Sequence, residues 1–144
     1  MSLVITPKQQ KEKELAPTGL QPAVAVDVVD LGIQKTSFGK RSMVSIVFEL
    51  QAADSEGNHF ILMRKYSKSL HPKSNLRGDL EHWRGAPFSD GELQKGFDLE
   101  KVVGQPCMLY LEDRDGFIAI ESIMPPEGGA VYRPSGQYTR VKDR

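Results

Sequence analysis

Cysteine is almost absent from this chain: Cys107 is the only one in 144 residues. An internal disulfide framework is therefore excluded, and a reducing, cytoplasmic setting is expected. Cys107 lies in the apolar run CMLYL, where a thiol packs as a small hydrophobe. Long apolar runs are also missing. None is of membrane-spanning length, and the opening MSLVITPKQQKEKELAPTG holds no apolar stretch of signal-peptide length. Histidine is scarce, and His59, His71 and His82 lack the paired short spacings of a zinc site. The chain contains no G-x-S-x-G, no H-E-x-x-H, no phosphate-cradling P-loop and no Cys-His signature. Asp113 and Asp115 form an acid pair, but they sit in DRDG, where Asp is a turn former first. The expectation is a protein that does no chemistry, with no metal and no cofactor.

Enough apolar residues are present, 39%, to fill one domain core, and 26% charge keeps such a domain soluble. Net charge is zero but unevenly spread. Residues 35–77 hold eight basic against three acidic residues, a local +5. Residues 85–130 hold three against nine, a local −6, and residues 131–144 four against one, a local +3. A polyanion responds to a patch of one sign and not to the sum, so a nucleic-acid partner stays open.

Residues 1–18 are polar and lead in flexibly; residues 125–144, rich in Pro, Gly and polar groups, are expected to form a flexible basic and aromatic tail. The folded unit is expected over 19–124. AVAVDVVDL puts Val24, Val26 and Val28 on one strand face, then shifts phase to Val29 and Leu31, as a bulge would. SMVSIVFELQA alternates, with Val44, Ile46, Phe48 and Leu50 inward and Arg41, Ser45 and Glu49 outward. HFILMRKY is a third strand whose inward face is open between Phe60/Leu62 and Ile61/Met63. The glycine turns SFGKR and DSEGN join the three.

The period then lengthens. Leu76, Leu80 and Trp83 share one helical face, with Pro72 suited to a first turn and Gly85 to a stop. Gly78, inside that helix, implies either a weak helix or a close contact. Mostly loop follows, with FDLEKVVG as a short turn of helix. PCMLYLE and GFIAIESI then form a hairpin at DRDG. Five strands with one helix between the third and fourth is the order of an OB-fold-like barrel, a mainly β fold.

Single-strand binding needs cations along a backbone path and aromatic faces for bases. Lys35, Phe38, Lys40 and Arg41 cluster at the first turn, and Arg64, Lys65, Tyr66 and Lys68 at the end of the third strand. The cations are expected to neutralise phosphates, and Phe38 and Tyr66 to stack on bases. The acidic EDRDG turn would repel phosphates if it faced the same path. Tyr132, Arg133, Tyr138, Arg140, Lys142 and Arg144 interleave aromatic and basic groups in the tail, which either folds onto a polyanion or stays solvated.

The first hairpin D-L-G-x-Q with its following T-x-x-G, the segment YSKSLHPKSNLR, the W-R-G at 83–85 and the F-D-L before G-Q-P-C resemble a group of small bacteriophage and prophage proteins. The resemblance covers roughly residues 19–124. It implies a single-stranded DNA-binding accessory of phage replication or recombination with an OB-type core, in the cytoplasm of the bacterial host. Other replication or recombination proteins and a second copy of the chain are further partners it allows. The ending TRVKDR departs from the acidic tip by which better-known single-strand binders recruit partners. Two alternatives stay open: a protein-interaction module on the same small barrel, and a small-molecule or oligosaccharide site on its face.

Overall fold

The structure, a computed structural model, describes residues 14–127 and 131–144. The expectations for residues 1–13 and 128–130 lie outside the described residues. Five strands form one antiparallel sheet: β1 (Gly19–Thr36), β2 (Gly39–Ala53), β3 (His59–Ser67), β4 (Pro106–Arg114) and β5 (Phe117–Met124). Their order is β3-β2-β1-β4-β5. Helix α1 (Asn75–Arg84) and the short α2 (Asp90–Lys95) lie between β3 and β4, with a 3-10 turn at Leu99–Val102. The mainly β expectation holds. The sheet is not closed through β3 and β5, although Arg64 Nη1 of β3 reaches the Glu121 carbonyl of β5 at 3.5 Å. No helix among the described residues is long and apolar enough to cross a membrane.

β1 is shared between two partners: residues 19–24 pair with β4, and Ala23 to Thr36 pair with β2. The expected bulge is present but falls earlier, between Ala25 and Asp27, and a second lies between Asp30 and Gly32. The first changes which face each valine serves. Ala23, Ala25 and Val28 belong to the main core, while Val24 and Val26 point to the other side with Val47. Each bulge inserts one unpaired residue, which reverses the alternation and tightens the local twist.

The main core packs the inner face of the sheet against α1. Val44, Ile46, Phe48 and Leu50 of β2 are buried as expected, and Phe60 and Leu62 of β3 pack on them. Ile61 and Met63 are outward and exposed, which settles the open choice on β3. From α1, Leu76, Leu80 and Trp83 are at most 7% exposed. The Trp83 ring lies 5.7 Å from Phe48 at 52°, and its Nε1 donates to the Pro106 carbonyl at 2.9 Å, so the indole is buried with its polar atom satisfied.

The ends of α1 follow local chemistry. Ser74 caps the N-terminus by accepting from the Arg77 N–H, and Gly85, at φ 72°, closes the C-terminus with its N–H on the Glu81 carbonyl. Pro72 therefore precedes the helix and does not form its first turn: the serine hydroxyl satisfies an amide that a proline would merely lack. Cys107 is buried in β4, where it packs in the main core, and burial pushes its thiol up to about 12.

Candidate nucleic-acid interface

β1 and β2 run on together beyond the rest of the sheet. β3 leaves β2 at Met43, and β4 leaves β1 at Val24, so the pairs from Gly32–Met43 to Thr36–Gly39 form a two-stranded arm. Its turn places Ser37 and Phe38 between Thr36 and Gly39, with Thr36 Oγ1 bonded to the Gly39 carbonyl at 2.7 Å. Gly39 takes φ 99°, a conformation open to glycine. Phe38 is 84% exposed at the tip, and Ile33 is 73% exposed on the shaft. Lys35, Lys40 and Arg41 are exposed, and none forms an ion pair with the described residues.

Strand register divides these groups. Lys35 pairs with Lys40, on the side that continues the inner face; Arg41 pairs with Gln34 on the outer side. On β3, Lys65 pairs with Ser45 and so shares the outer side with Arg41. The structure therefore brings Lys35, Phe38, Lys40 and Arg41 together on the arm, with Lys65 nearby along the outer side.

Tyr66 is a correction. It was expected to stack on bases, but it is 2% exposed in the main core. Its hydroxyl donates to Asp79 Oδ2 at 2.6 Å, and Arg64 Nη1 meets the same oxygen at 3.1 Å. Burial, and then the Asp79 charge and hydrogen bond, hold the phenol far above its ordinary range. Tyr66 follows Phe60, Leu62 and Arg64 on the inward face, and the alternation of β3 required that once Ile61 and Met63 were outward. Arg64 is engaged by Asp79, by the Tyr66 ring at 5.7 Å and by the Glu121 carbonyl, so it is not a free phosphate contact. Lys68 is exposed but pairs with Asp30 at 3.3 Å.

The acidic turn lies far along the chain path from the arm. β4 pairs with the Gly19 end of β1, and the arm grows from the Thr36 end. Asp113 acts as the turn former expected of it, its Oδ1 accepting the Gly116 N–H at 2.7 Å.

A second site was not foreseen. The described part of the expected flexible tail, residues 131–144, lies as a strap on the outer side of β1 and β2. Glu49, expected outward, is 0% exposed. It accepts from Tyr132 OH at 2.6 Å, Ser135 N–H at 2.9 Å and Ser135 Oγ at 2.8 Å. Asp27, 1% exposed, accepts from Tyr138 OH, Arg140 Nε and Val141 N–H, each at 2.9 Å. Arg140 also holds Glu100 with two bonds. Burial pushes both carboxylates up, yet the hydrogen bonds outweigh it. Asp27 is held below its ordinary value by Val141, Arg140 and Tyr138, and Glu49 by Tyr132, Ser135 and nearby His59. The signal in the sequence was the pair Tyr132 and Tyr138, six residues apart, facing two acids on valine-rich strands.

No protein-family model matches the chain, and no curated protein matches it.

Proposed function

We propose that this chain is a non-catalytic single-stranded DNA-binding accessory protein of the phage replication or recombination type, built on an OB-type scaffold. The strand order supports the scaffold: a bulged β1 serves both β2 and β4, α1 separates β3 from β4, and Arg64 reaches from β3 to β5. In that arrangement the open seam between β3 and β5 is where a barrel would close. The observation that carries the binding reading is the arm, where Phe38 stands 84% exposed among Lys35, Lys40 and Arg41, exposed cations that form no ion pair among the described residues. A projecting aromatic ring costs hydrophobic exposure that a stacked base would relieve, and the cations suit the adjoining phosphates. Lys65 extends the path; Tyr66 and Arg64 are dropped from it.

The test is a salt titration on fluorescently labelled oligo-dT. Binding at low salt should fall steeply as salt rises, because phosphate neutralisation releases counterions. Phe38→Ala should weaken binding by about 5- to 150-fold, the equivalent of about 1–3 kcal/mol for one stacked base. Its unfolding free energy should stay within about 0.5 kcal/mol of wild type, as for other surface changes. No binding at low salt, or a flat salt slope, defeats the proposal.

A protein-docking module is the second reading, and one observation favours it. Leu15, Ile61, Met63 and Phe117 are 40–67% exposed around a cavity of about 270 Å³ between β3 and the β4–β5 turn. That reading predicts no oligonucleotide affinity, so the same titration separates the two.

A further inference from the structure

We propose that the docked strap is itself part of the polyanion-binding face, so that a nucleic-acid strand passes over residues 131–144 and does not displace them. The inference rests on the nucleic-acid reading above and names a further surface for it.

What lies beneath the strap argues against displacement. The covered side of the sheet presents Asp27 and Glu49, with Val24, Val26 and Val47 between them. A strand taking the strap's place would set phosphates against two carboxylates. It would also leave both acids without the three hydrogen bonds that each now accepts. Without the strap this side is acidic and apolar, the wrong chemistry for a polyanion.

What lies on top is the opposite. The strap carries Arg133, Arg140, Lys142 and Arg144 against Asp143. Arg140 is directed down into Asp27 and Glu100, and these bonds anchor the segment. The other three cations are exposed. Arg144 is held in place, its guanidinium 5.5 Å from the Tyr138 ring and its Nε on the Thr139 carbonyl at 3.1 Å. Arg133 meets no acid among the described residues. Two buried anions thus hold a cationic cover in place and reverse the sign of the face.

The cover also lies on the right side. The outward residues of β2 run Glu49, Val47, Ser45, Met43, Arg41, and Lys65 stands opposite Ser45. The strap is bonded at Glu49 and at Asp27, the partner of Val47. Arg41 is four residues beyond Ser45, about 13 Å at strand rise. The strap, Lys65 and Arg41 therefore follow one another along the outer side of the sheet toward the arm, whose turn carries Phe38.

The experiment compares the full chain with Arg133→Gln/Lys142→Gln/Arg144→Gln and with Glu49→Gln, each titrated on labelled oligo-dT across salt, with urea unfolding as the fold control. The triple variant should unfold like wild type and bind about tenfold or more weakly at low salt. Its log–log salt slope should be shallower by about two, since each single-strand phosphate contact contributes about 0.7. Glu49→Gln, which loosens the strap but keeps its charges, should also weaken binding. An unchanged slope in the triple variant, with wild type binding normally, overturns the inference. So does tighter binding by Glu49→Gln, because the strap would then be covering the site. If wild type itself fails to bind, the nucleic-acid reading falls and takes this one with it, an outcome distinct from both.

Discussion

Below the arm, β1 and β2 are buried on both faces, and by different physics. The inner face is covered by α1 with apolar side chains: Phe48 lies against Trp83, and Val44, Ile46, Leu76 and Leu80 share the same core. The outer face of β1 and β2 is covered by a strap whose main anchors are two carboxylates, each accepting three hydrogen bonds. Hydrophobic burial is non-directional and scales with area, so the inner face tolerates small shifts. Buried carboxylates are all-or-none: well satisfied they fix one geometry, and with a partner removed they cost more than an apolar residue would. The inner face therefore supplies the bulk of stability, and the outer face specifies where one segment lies.

That contrast predicts a ranking. Phe48→Ala, at a fully buried position in contact with Trp83, should lower unfolding stability by about 3–5 kcal/mol. Urea unfolding followed by Trp83 fluorescence measures it, and a loss under 1 kcal/mol would show that the inner core is not the main store of stability. Glu49→Gln keeps shape but turns an amide N–H₂ toward the Tyr132 and Ser135 donors. It should cost about 1–3 kcal/mol. Much of that loss should appear as local release, read as faster tryptic cleavage after Arg140 and Lys142 under conditions where Trp83 fluorescence stays native.

Acid should separate the faces without a mutation. Asp27 and Glu49 both have folded-state values below the ordinary carboxylate range. A depressed carboxylate stabilises fully above its unfolded pKa, near 4, and that contribution is lost as pH falls through the folded value. The strap should therefore loosen below about pH 4, before the apolar inner face yields. His59, whose Nδ1 lies 3.2 Å from Tyr132 OH, is the nearby base, and Glu100 faces Arg140. Hydrogen exchange of the Ser135 and Val141 amides against those of β2 core residues checks the order. Simultaneous loss would mean that the strap and core form one cooperative unit.

Much of the inner face was legible because alternation is a local signal. Val44 to Leu50 with period two, and Leu76, Leu80 and Trp83 on one helical face, name their own neighbours. The turns at Gly39, Gly57 and Gly116 were legible too, since each takes a positive φ that glycine accepts. The outer face was not. Glu49 alternates with apolar residues, which ordinarily means solvent; only a segment more than eighty residues away, bonded to it, makes it interior. A long-range contact of that kind leaves no period in the sequence. Of the candidate site, the arm was readable from a phenylalanine in a basic glycine turn. Tyr66 was misassigned because the face of β3 was open: one residue of phase decides between base stacking and core.

The smallest predicted effect has the opposite sign and tests the lid of the inner face. Gly78 stands mid-way along α1, exposed, and a Cβ built there meets nothing within 4 Å. Of the two explanations the sequence allowed, close contact and weak helix, the second therefore applies. Alanine loses less backbone freedom on folding than glycine and stays compatible with helical geometry. Gly78→Ala should raise unfolding stability by about 0.5–1 kcal/mol, seen as a shift in the urea midpoint with unchanged slope. Tryptic cleavage of the strap should not change, because α1 belongs to the other face. A variant that also protects the strap would show the two faces coupled through the sheet, and the contrast between an apolar lid and a polar clamp would have to be redrawn as one cooperative structure.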